Sequence, residues 1–267
     1  MILSAPLAVD PRAPLARANP AAKLGAAAIL MLALFLATDP VTPALVLGAL
    51  AVAIGASGLR TGGLARRAAP LAIAALGVGL FNAFFAAEAG GETILRLGPL
   101  HLTTGGALVG LGLALRLVGI ALAGIVAVAT TDPTDLADSL VQQLRVPHRF
   151  AIGALAAFRL APIFAGEWET IALARRARGV EPGRSPLARL RAFAAQTHAL
   201  LVGAIRRGLR LATAMDARGF GALPCRTVAR PQRLRGADRS LLLLALAVAL
   251  GATGISLALG TYRPLFG

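Results

Sequence analysis

Between Gly105 and Ala129 the chain runs for twenty-five residues with one charged side chain, Arg116. A bilayer core about 30 Å thick takes about 20 apolar residues to cross as a helix. Inside it every backbone N–H and C=O needs a partner from the chain itself. A run of this length and composition is therefore read as a membrane-spanning helix. Four more runs follow the same logic: Ala21–Ala37, turned at Thr38-Asp-Pro-Val-Thr-Pro43, then Ala44–Gly58, Ala68–Ala87 and Leu241–Leu259. The first two are short and reach a span only with their flanking Val, Thr and Ala. A hydrophobic content of 57% exceeds what an ordinary soluble domain carries. The N-terminal Met1–Pro20, with Pro spaced through it and Arg12 and Arg17 ahead of Lys23, lacks a basic segment leading directly into an apolar run. It does not read as a cleaved signal peptide. Between the third and fourth spans, Thr93–Leu97 and Leu100–Thr103 flank Gly98-Pro99, the pattern of a small hairpin.

The formal net charge of +15 is unevenly placed. Residues 131–240 hold 18 of the 27 basic and 8 of the 12 acidic side chains, a surplus of ten. Arg60, Arg66 and Arg67 follow the second span, so the positive-inside bias puts that loop and the N-terminus in the cytoplasm. The same bias decides the ambiguous segment Phe150–Gly166, apolar enough to pass for a span although it carries Arg159 and Pro162. A crossing there would export Arg175, Arg176, Arg178, Arg184, Arg189, Arg191, Arg206, Arg207 and Arg210. The expectation is instead a long helix in the membrane interface, its Arg-rich end cytoplasmic.

Around this segment Asp132–Val141 reads as a short amphipathic helix with an N-cap and Pro133 at its first turn. His148–Arg178 forms a long helix, broken at Glu181-Pro-Gly-Arg184. Ser185-Pro186 starts a second long helix that runs to Arg218. Leu187, Leu190, Ala194, Leu201, Ile205, Ala212 and Met215 fall mostly along one face of it, a stripe expected to pack.

Both long helices end on the same three residues, Ala177-Arg178-Gly179 and Ala217-Arg218-Gly219, each followed by an apolar residue and offset by forty positions. A helix C-terminus explains the triplet by itself, with Gly in the left-handed position and Arg against the negative end of the dipole. A docking role explains it equally on physical grounds. Arg offers a fixed fork of donors to carboxylates or carbonyls at any relevant pH, and Gly leaves room for close approach.

In its context, the repeated triplet resembles that of the transmembrane T component of energy-coupling factor (ECF) transporters. The resemblance also covers Thr131-Asp-Pro-Thr-Asp-Leu-Ala137, Phe158-Arg-Leu-Ala-Pro162 and the order of apolar segments. It implies that Ala177, Arg178, Gly179, Ala217, Arg218 and Gly219 dock in grooves on two ABC-type ATPase subunits, while the membrane helices hold a small substrate-binding S component. It implies energy coupling for vitamin or metal-ion uptake, with ATP and Mg bound by the partners and no cofactor in this chain.

The residues themselves exclude the obvious alternatives. Lys23 is the one lysine, so no GxxxxGK[ST] phosphate loop exists. Cys225 stands alone and His101, His148 and His198 are dispersed, so no disulfide or metal-ligand spacing is present. Glu167 and Glu169, two apart, do not share a helix face. No catalytic constellation follows, which disfavours an integral-membrane enzyme. A self-sufficient secondary carrier would want polar residues at mid-membrane, where only Arg116 and Asn82 stand. The basic block lacks the aromatic interleaving of a nucleic-acid binder and suits an anionic leaflet and membrane lipids.

The expected fold is thus an all-α polytopic membrane protein with about five transmembrane helices and a cytoplasmic coupling region of one short and two long helices. Its parts are 1–130 (four spans), 131–222 (coupling helices) and 223–267 (basic loop and last span). Arg116, with Asn82 its nearest polar candidate, and Arg159 and Pro162 are expected to serve either S-component contact or intramembrane structure.

Overall fold

The computed structural model describes residues 14–56, 61–85, 90, 92–97, 100–180, 185–222, 228 and 230–262. Residues 1–13, Arg60, the Gly98-Pro99 turn, the break at 181–184 and Cys225 lie outside them. The described elements are α1 (Pro14–Arg17), α2 (Pro20–Leu36), α3 (Val41–Ala56), α4 (Thr61–Phe85), β1 (Thr93–Leu97), β2 (Leu100–Thr103), α5 (Thr104–Ala129), α6 (Pro133–Gln143), α7 (His148–Ala177), α8 (Pro186–Ala217) and α9 (Gly236–Ala258). The fold is all-α apart from the expected hairpin, in which β1 and β2 pair antiparallel with Leu97 opposite Leu100.

The chain divides into two compact units, residues 1–139 with 232–267, and residues 140–231. By length and composition α4, α5, α7 and α9 can each cross a membrane. With 17 and 16 residues, α2 and α3 extend only about 26 and 24 Å. They span only with help from their flanks.

In the first unit α2, α3, α5 and α9 share a core of Ala26, Leu30, Leu34, Val46, Leu50, Ala123, Ala245, Ala249 and Ala252. Lipid tails are as apolar as leucine, so burial alone does not hold helices together in a bilayer. Close van der Waals contact and polar links must do it. The small residues supply the first. A Cβ on Gly110 would lie 2.4 Å from the carbonyl oxygen of Gly79, and one on Gly106 would lie 2.5 Å from that of Ala83. The α4 and α5 backbones therefore touch along a seam that only glycine permits. Away from the seam, α4 exposes Ile73, Leu76, Phe81 and Phe85.

Polar links supply the second. At the α2–α3 turn the fully buried Asp39 accepts from the Thr42 N–H (2.7 Å) and from Ser256 Oγ of α9 (2.8 Å). At the other end Asp238 caps α9 by accepting the Arg235 N–H at 2.7 Å, and its second oxygen accepts the Asn19 N–H at 2.7 Å. Asn19 in turn caps α2 through the Ala21 N–H at 2.9 Å. Lys23 donates to the Thr130 carbonyl, at the end of α5, at 2.8 Å. The last four carbonyls of a helix lack intrahelical donors, and Lys23 satisfies one of them.

Arg116 works in the same way toward the far end of α2. Its guanidinium donates to the Phe35 carbonyl and stands 5.2 Å from the centre of the Phe35 ring. The expected partner Asn82 is not involved. Its amide donates to the Val78 carbonyl, one turn back on its own helix, at 3.0 Å. An asparagine on a helix can always reach its own i−4 carbonyl, whereas the last turn of α2 offers Arg116 a carbonyl that no helical N–H claims.

Candidate functional site

In the second unit α7 and α8 run for 30 and 32 residues, about 45 and 48 Å. Polar and aromatic contacts join them. Gln196 Nε2 donates to the Trp168 carbonyl at 2.8 Å, and Arg175 Nη1 donates to the Ala192 carbonyl at 3.4 Å. Trp168 tilts against Phe193 with ring centres 5.3 Å apart. Arg207 pairs with Glu167 and lies 5.6 Å from the Phe164 ring centre. The pair is a third exposed on each side, so it fixes geometry more than it adds stability. Glu167 therefore has a structural partner on α8.

The two Ala-Arg-Gly ends are the same backbone motif. At the first, the Val180 N–H donates to the Arg175 carbonyl at 3.0 Å and the Gly179 N–H to that of Arg176 at 2.9 Å. At the second, the Phe220 N–H donates to the Met215 carbonyl at 3.0 Å and the Gly219 N–H to that of Asp216 at 2.9 Å. This is the Schellman closure, in which the residue past the cap must be left-handed. Gly179 and Gly219 have φ of 73° and 74°. Arg178 and Arg218 are the cap residues, each with φ −89° and ψ 9°. Capping thus accounts for both glycines. The arginines complement the negative helix ends by charge alone: they are exposed, and their guanidinium groups make no hydrogen bond or ion pair among the described residues. Ala177 and Ala217, exposed beside them, keep each tip slim. The tips are separate points, because Arg178 precedes α8 and Arg218 ends it.

The apolar stripe of α8 stays largely exposed among the described residues. Leu187, Leu190, Leu201 and Ile205 are each more than half exposed, and α8 buries no residue at all. Its periodicity marks an exposed apolar face. On α7, Phe150, Phe158 and Ile163 are likewise exposed. Pro162 lies inside α7 and leaves the Phe158 carbonyl without its intrahelical donor. Arg159 is exposed on the same helix. Arg116 belongs to the first unit, and Arg159 and Pro162 belong to the second.

Ser185 sits at the N-cap of α8 without a side-chain cap bond, and Pro186 carries the start. Asp132 does cap α6, accepting the Thr134 N–H at 2.7 Å. Among the described residues no group of His, Cys, Asp and Glu could hold a metal ion. Sequence reasoning missed Lys23, Asn19 and Asp238, although a single lysine among 27 basic residues was a visible signal.

The model of the CbiQ family, described as cobalt transport protein, matches residues 11–227. Curated relatives are energy-coupling factor transporter transmembrane proteins (EcfT). That of Bacillus selenitireducens is 30% identical over 227 residues, which is 79% of this chain and 81% of the relative. That of Staphylococcus aureus is 30% identical over 146 residues, 52% of this chain and 54% of the relative. That of Exiguobacterium sibiricum is 36% identical over 129 residues, 45% and 49%. The chain thus spans about half the length of the latter two and four fifths of the first.

Proposed function

The chain belongs to the CbiQ family of energy-coupling factor transporter transmembrane proteins, and from that premise we propose that Arg178 and Arg218 are the two points at which it is driven. Each would enter a groove on one of two ABC-type ATPase subunits and pair with acidic side chains or carbonyls there. Closure of the ATPases on ATP and Mg would displace the tips. The movement would pass through α7 and α8 to a substrate-binding S component held against the exposed apolar faces, for uptake of a vitamin or a metal ion. The chain hydrolyses nothing in this account.

One observation carries the reading: two helix ends share a backbone to within a degree in φ, and each leaves an exposed arginine that the cap does not use. Arg116 is assigned to structure, since it caps α2. Positive-inside bias further supports a cytoplasmic N-terminus and coupling region, with Phe150–Gly166 along the interface rather than across it.

The test is copurification in mild detergent. Replacing both Arg178 and Arg218 by Ala should leave membrane insertion intact and lose both ATPases together with uptake. A double variant that inserts, retains its ATPases and transports normally would remove the docking role. Cysteines placed at Arg175 and Arg191 in a Cys225→Ser background should react in intact cells only with membrane-permeant reagents. Labelling from outside would overturn the topology.

A further inference from the structure

Two stretches of chain connect the membrane unit with the coupling helices: the one that leaves α5 after Thr130, and the one that returns to α9 before Gly236. The helix ends at which they begin and finish, the C-cap of α5 and the first turn of α9, are both fastened to the first turn of α2. Lys23 Nζ donates to the Thr130 carbonyl at 2.8 Å, and the Asn19 N–H donates to Asp238 at 2.7 Å. Asn19 and Lys23 are one turn apart on the same helix, joined by the Lys23 N–H to the Asn19 carbonyl at 3.1 Å. The two connections are also tied to each other, since Gln232 Nε2 donates to Asp135 Oδ1 at 3.3 Å.

The residue at the centre is chemically singular. Twenty-six of the 27 basic side chains are arginine, most of those described being exposed, and the single lysine is 5% exposed. A buried ammonium is costly unless its donors are met, and a compact charge with three donors suits a point where two paths converge.

We propose that Asn19 and Lys23 form a clamp that holds both connections to the coupling helices at one fixed point on α2, with Lys23 as its positioning residue. Movement imposed on the coupling helices then reaches α2, α5 and α9 as one body, instead of being absorbed by two loose hinges. The functional sense of the clamp rests on the T-component reading above. Its existence does not.

Hydrogen exchange of the full chain in lipid nanodiscs, without ATPases, therefore tests it separately from docking. In Lys23→Met, amides of 131–139 and of 232–238 should exchange about tenfold faster together, while Leu30–Leu34 and Ala245–Ala252 in the middle of the bundle stay protected. If only 131–139 loosens, or neither stretch does, the clamp is wrong. Should Lys23→Met loosen the whole bundle, Gln232→Ala decides, since Gln232 is only half-buried and its loss leaves the core intact. It should speed both stretches by a smaller factor, and unchanged exchange in them would overturn the proposal.

Discussion

The two units of this chain are built on opposite terms. Residues 1–139 with 232–267 bury an alanine-rich core and fasten its two ends with polar links, at Asp39 and Ser256 on one side and at Asn19, Lys23, Thr130 and Asp238 on the other. In residues 140–231 the two longest helices bury a single residue, Ala151, and are joined by a few polar and aromatic contacts. The first unit has a buried core of its own and still exposes large apolar side chains such as Ile73, Phe81 and Leu250. The second exposes its apolar side chains with almost no core beneath them. Exposed leucine costs nothing against lipid or inside a partner's groove, so hydrophobic periodicity in a membrane protein identifies a face without saying what covers it.

The contrast can be broken most severely at the α4–α5 seam. Gly110→Leu places side-chain atoms where the Gly79 carbonyl already stands and should cost about 3 kcal/mol or more, read as loss of resistance to denaturing detergent and as new cleavage in α4. Wild-type resistance would show that the seam is not required. Asp238→Ala comes next. It strands the Asn19 and Arg235 N–H groups, and about 2 kcal/mol should disappear from the same titration. A leucine at an exposed site of α8 such as Leu201 should by contrast tolerate Ser with no loss of stability in the isolated chain.

Within the second unit the twin tips sharpen the comparison. Gly179→Ala and Gly219→Ala each force a β-carbon into the left-handed region at about 1 kcal/mol. Because the two backbones match, the two losses in helix-end protection should agree to within about 0.5 kcal/mol. A large difference would mean that the tips are not equivalent. Smallest of all, Arg207→Ala removes a pair a third exposed on both sides, worth under about 1 kcal/mol. A larger loss of α7 and α8 helicity would mean that this pair holds the coupling unit together.

What the sequence made legible follows from range. Spans, caps and the hairpin depend on residues a few positions apart. Length, Gly after the last turn, Pro133 and Pro186 at first turns, and the Gly98-Pro99 punctuation identified them. Asn19 with Asp238, Asp39 with Ser256, and Lys23 with Thr130 lie more than a hundred residues apart, and no local pattern announces them. Arg116 was legible as a side chain in need of a partner. Its partner was not, because a carbonyl at a helix end carries no letter of its own, and Asn82 looked polar enough to serve. The repeated Ala-Arg-Gly was legible as both cap and contact. The backbone closure claims the glycines for the cap and leaves the arginine side chains exposed.

Those arginines supply the most direct measurement. The affinity of the purified ATPase pair for the chain in nanodiscs should fall about ten- to hundredfold for Arg178→Ala or Arg218→Ala alone and further for both, from the loss of about 1.5 to 3 kcal/mol per charge-assisted contact. The nanodisc-embedded chain should keep its helicity throughout. Binding of the double variant with undiminished affinity would contradict the account.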